Sequence, residues 1–181
     1  MPLTSPLPAS AAKWRLAIWS LAGVVMLVPV IARLTLAEMN WDTFDFAVFG
    51  AMLLAGCLGF EVVLRLGTAN TAYRIAACLA IGGAFLMVMA NLAVGIIGNE
   101  NNPVNLLFFA LLALGAVGAL TVRFDAAGMA RVMALLAAAQ ALLGVGLAVT
   151  GAGFTPVFTL FYVLLWLAVA ALFRKAGRTA G

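Results

Sequence analysis

The chain carries six carboxylates, and only Asp42 and Asp45 lie close enough in sequence to work as a pair. Two acids three residues apart could divide the roles of general acid and general base. The same spacing describes a helix N-cap followed by an acidic first-turn partner, and it fits that reading at least as well. The sequence has no histidine. Histidine-ligated haem, the usual zinc and copper sites, and Ser–His or Cys–His nucleophile pairs are therefore excluded. Cys57 and Cys78 sit inside apolar runs without CxxC spacing and read as small packing residues. These residues predict a non-enzymatic protein with no catalytic residues, metal or resident cofactor. A bound lipid or apolar small molecule is compatible with all of them.

Amides are the other polar resource. Residues 91–105, NLAVGIIGNENNPVN, hold five of the seven asparagines. An apolar run breaks here and resumes as LLFFALLALG. Asn102 suits an N-cap and Pro103 the first helical position. Asn91 precedes the break, and Gly95 and Gly98 are predicted to follow it on a similar helical face, where a ligand or a neighbouring helix could sit. Gln140 lies near the centre of its apolar run, with Ala137, Ala141 and Gly144 on its face, which predicts a cross-helix hydrogen bond. Glu61 stands four residues before Arg65, the spacing of an i,i+4 ion pair, and an intramembrane acid is also the usual entry to a proton relay. Arg33 is predicted to meet Glu38 or Asp42. Asp42, Asp45, Asn99, Glu100, Asn101 and Asn102 gather at one membrane face. Their oxygens could hold a hard cation, although no loop has EF-hand spacing.

The elements that position these groups follow from composition. Of 181 residues, 66% are hydrophobic and 9% charged, and the mean hydropathy is +1.19. A soluble domain has about 25% charged and 45–50% apolar residues. Such a chain has the bilayer as its solvent, and an all-α integral membrane protein is predicted. Six apolar runs of spanning length fall at about 16–36, 44–66, 75–98, 106–122, 132–150 and 157–173. They leave a short tail over 1–15 and a basic one over 174–181. With both termini in the cytoplasm, every basic residue except Arg33 lies inside, so an N-in, C-in protein of a bacterial inner membrane is predicted. The net charge of +4 is scattered over the ends of apolar runs, which argues against nucleic acid as a partner.

An arginine precedes each odd run and follows each even one, and similar turn chemistry recurs at the acidic face. That pattern predicts three tandem helical hairpins of roughly 57 residues. Ala47, Ala51, Ala55 and Gly59 form a small-residue seam suited to a close helix crossing, self-association or another membrane subunit. The bulky run FTLFYVLLWLAVAALF is predicted to face lipid, a pigment-like ligand or another protein. Two functions remain. One is a non-enzymatic membrane subunit or scaffold that binds other membrane proteins, lipid or an apolar small molecule. The other is a small-solute transporter, or the ligand-binding part of one, with Asn91, Gln140 and Glu61 along its path.

Overall fold

A computed structural model describes residues 9–36, 41–65 and 70–178. Among them the regular structure is entirely helical. The helices are α1 (Ala9–Thr35), α2 (Thr43–Arg65), α3 (Thr71–Ala93), α4 (Leu106–Thr121), α5 (Ala126–Val149) and α6 (Pro156–Arg178), with one 3₁₀ turn over Pro103–Asn105 leading into α4. All six are long and apolar enough to cross a membrane. A spanning segment must satisfy its backbone hydrogen bonds internally, which apolar runs of this length can do only as helices.

Several boundaries differ from the sequence-based expectation, each with a local cause. α3 ends at Ala93, not near residue 98, because Gly95 and Gly98 adopt φ of +71° and +70°. Left-handed glycines end a helix, so these two cannot continue the Asn91 face. α5 begins at Ala126, not near 132, because the Asp125 side chain accepts a hydrogen bond from Gly128 N at 2.9 Å and starts the helix there. α6 carries its helix through Lys175 to Arg178, and α1 starts at Ala9.

The chain divides into two compact units, Met1–Ala69 and Asn70–Gly181. In the first, α1 and α2 form a hairpin. Its acid cap is well made. Asp42 Oδ1 accepts from Phe44 N (2.7 Å) and Asp45 N (3.0 Å), while Asp45 Oδ2 accepts from Asp42 N (2.9 Å). At the other end Trp14 meets Phe60 at 6.1 Å between ring centroids.

In the second unit the α5–α6 hairpin is central, with α3 packed mainly on α6 and α4 mainly on α5. The helices follow one another in pairs, but α3 and α4 are joined chiefly through the hairpin that follows them. The aromatic residues of α6 turn inward as well as outward: Tyr162, Trp166 and Phe173 are buried. Tyr162 Oη donates to the Gly83 carbonyl at 3.2 Å, and a Cβ at Gly83 would come within 3.2 Å of the Trp166 ring. Tyr73 stacks edge-on against Phe173 (4.9 Å) and donates to the Phe124 carbonyl at 2.6 Å. That bond holds the α4–α5 turn, where Arg123 and Phe124 take left-handed φ of 51° and 60°, each at a cost of about 1–2 kcal/mol.

Small residues set the spacing of the central hairpin. A Cβ on Gly144 would lie 2.5 Å from Thr159 Oγ1, whereas Gly146 has open space around it. Gly144→Leu should therefore destabilise the protein by about 1–3 kcal/mol through overpacking. Gly146→Leu should leave the thermal midpoint in detergent nearly unchanged. Equal melting of the two variants would contradict this packing.

Candidate functional site

The polar turn between α3 and α4 is built by its own asparagines. Once the chain leaves α3 at Val94, its backbone needs partners that a bilayer does not supply. Asn105, 3% exposed, provides three. Its Oδ1 accepts from Ile97 N at 2.8 Å, and its Nδ2 donates to the carbonyls of Ile97 (3.2 Å) and Asn99 (2.7 Å). Asn99 Oδ1 accepts from Asn101 N, and Asn102 Oδ1 accepts from Val104 N to cap the 3₁₀ turn, with Pro103 in its first position. Gly95 lies so close to the backbone of Asn99 and Glu100 that no side chain fits there. Ile97 is buried and passes over Gly153 in the α5–α6 turn, tying the two turns together.

This folding creates a cleft of about 370 Å³ above Asn91. Its polar wall is Asn91, Glu100, Asn101, Asn102 and Asn105. Leu92, Leu106 and Phe109 line the apolar side. Asn91 is 2% exposed; its Nδ2 donates to the Met87 carbonyl at 3.0 Å, and its Oδ1 is buried with no partner. The amide cannot simply be flipped, because that would set oxygen against the Met87 carbonyl. The unmet group is an acceptor, and it is enclosed by the protein's own atoms. Glu100 supplies the cleft's one formal charge, and its Oε1 accepts from Asn101 Nδ2 at 3.2 Å.

The remaining candidates lie elsewhere. Gln140 is fully buried on α5 and makes no hydrogen bond with either amide atom, so the expected cross-helix bond is not formed. Trp166 Nε1 on α6 is likewise buried without a partner. In the first unit, Glu61 is bonded by Arg65 Nη2 (3.3 Å) and also by Arg15 Nε (3.2 Å), which fastens α1 to α2. Arg33 Nε donates to the Trp41 carbonyl at 3.2 Å rather than to Asp42; Glu38 lies outside the described residues. Asp42 and Asp45 are committed to the α2 cap. Ala47, Ala51 and Ala55 are exposed and Gly59 half-buried, so three of the four seam residues are uncovered. Among the described residues no three His, Cys, Asp or Glu side chains are grouped to hold a metal.

No family model matches the chain, and neither a curated protein nor a solved structure does. The six apolar helices fit a multi-pass membrane protein, and the site must be judged on its own chemistry.

Asn105→Ala should strip partners from the buried N–H of Ile97 and the carbonyls it serves, at about 1–3 kcal/mol for each buried group left unpaired. Hydrogen exchange at 94–105 should rise markedly, while Asn101→Ala at the exposed tip changes it little. Unchanged protection in Asn105→Ala would contradict the clasp.

Proposed function

We propose that this protein is a non-catalytic, multi-pass membrane subunit that binds a lipid or small amphipathic molecule in the Asn91 cleft. The observation that carries the reading is the cleft itself, with one apolar and one polar wall beside the end of α3. Leu92, Leu106 and Phe109 would take the apolar part of such a molecule, and Glu100 with the neighbouring asparagines its polar part. The exposed seam on α2 leaves a face for a second membrane protein. The distribution of basic residues favours both termini on the cytoplasmic side, which would place the cleft on the opposite face.

A second reading, a small-solute carrier, rests on Gln140. A glutamine with both amide atoms unpaired inside a helix bundle is the kind of intramembrane polar group that marks solute paths.

Full-length protein extracted from its native membrane in mild detergent should retain a small molecule in native mass spectrometry. Asn91→Leu should lose it, and Gln140→Leu should keep it. Retention by Asn91→Leu would contradict the cleft reading. Solute flux into vesicles that disappears in Gln140→Leu would favour the carrier instead.

A further inference from the structure

Glu61 gathers more positive charge than closing the α1–α2 hairpin requires. Arg15 Nε lies 3.2 Å from its Oε2 and joins the two helices, so this contact alone would fasten them. Arg65 Nη2 lies 3.3 Å from Oε1 and brings a second guanidinium to the same carboxylate. Lys13 is exposed two residues before Arg15. Among the described residues of the first unit no other acid lies at this end, because Asp42 and Asp45 cap the opposite end of α2. Three bases therefore face one acid.

Each arginine commits one nitrogen to Glu61, which is buried while both arginine side chains stay about half exposed. Arg15 keeps both Nη groups and Arg65 keeps Nη1 and Nε, with no hydrogen bond to them among the described residues. Two guanidiniums held on one carboxylate repel each other, and an anion shared between them relieves that repulsion. A planar guanidinium fork matches the oxygens of a phosphate, which has enough of them to serve both arginines.

Arg15 also lines an open groove of about 530 Å³ with Ala12, Leu16 and Trp19. These four fall at i, i+3, i+4 and i+7, one face of α1 running from its charged start into its apolar span. Leu16 and Trp19 are exposed there. A soluble phosphate makes no use of such a face, whereas an acyl chain covers it. We propose that Arg15 and Arg65 bind the phosphate of an anionic phospholipid whose acyl chain lies along Leu16 and Trp19. Glu61 acts as the positioning residue for both arginines. The site shares no residue with the α3–α4 cleft and does not depend on it.

The test uses full-length protein stripped of lipid in detergent. It is offered equal amounts of phosphatidylglycerol and phosphatidylcholine with identical acyl chains, and bound lipid is weighed by native mass spectrometry. Two basic groups at the headgroup predict about tenfold preference for phosphatidylglycerol. Arg15→Gln should bring the preference close to parity, and Arg15→Lys, which keeps the charge without the planar fork, should fall between. Arg65→Gln leaves the contact between the helices in place and should also lower the preference. Lys13→Gln removes the same charge outside the cluster and should leave the preference unchanged. A loss in Lys13→Gln equal to that in Arg15→Gln would reduce the effect to the general attraction of a basic surface and overturn the site. Equal binding of the two lipids by the unaltered protein would overturn it as well. Excess inorganic phosphate should leave the lipid bound, and displacement by it would overturn the lipid assignment in favour of a soluble phosphate.

Discussion

The three-bond clasp of Asn105 is the interaction on which the polar end of the second unit depends. A chain that leaves a helix at the edge of a bilayer exposes N–H and C=O groups that lipid cannot satisfy. Here one buried side-chain amide replaces the missing helical partners of Ile97 and Asn99. Because Ile97 is fixed, it can cover Gly153; because Asn99 is fixed, Glu100 and Asn101 are held over Asn91. The cleft is thus a consequence of how the turn satisfies its backbone.

Beneath it, packing and polarity pull in different directions. The α5–α6 contact is close because Gly144 and Thr159 meet without an intervening side chain. The Tyr162–Gly83 bond draws α3 to the same hairpin. Close packing of this kind leaves little room for water, yet it encloses Gln140 and Trp166 Nε1 without partners. Buried polar groups in native proteins are nearly all paired. The first unit shows the opposite habit. Among its described residues the one buried acid, Glu61, is satisfied twice over by Arg15 and Arg65 and acts as a fastener.

The helices and several of their caps were legible in the sequence because they are local. Six apolar runs, the Asp42–Asp45 spacing and Asn102–Pro103 each state a requirement that neighbouring residues meet. Asn91 stood out for a similar reason, being an amide within an apolar run. What depended on tertiary contact was not legible. Gly95 and Gly98 looked like a continuing helical face, since glycine permits both helix and left-handed turn and the sequence does not say which. Asn105 looked like one more turn residue, and only the return of the chain over Ile97 makes it the clasp. Arg15 is forty-six positions from Glu61, beyond any periodicity rule. The bulky run of α6 was equally suited to lipid or to a core, and burial of Tyr162, Trp166 and Phe173 depended on α3 and α5 arriving beside it.

The central claim is that the Asn91 cleft holds a molecule the chain itself does not supply. An electron cryomicroscopy map of the full-length protein in nanodiscs formed from its native membrane tests this most directly. The account predicts non-protein density in the cleft, with its polar end within hydrogen-bond distance, about 2.7–3.2 Å, of the Glu100, Asn101 or Asn102 side chain. An empty cleft would contradict it.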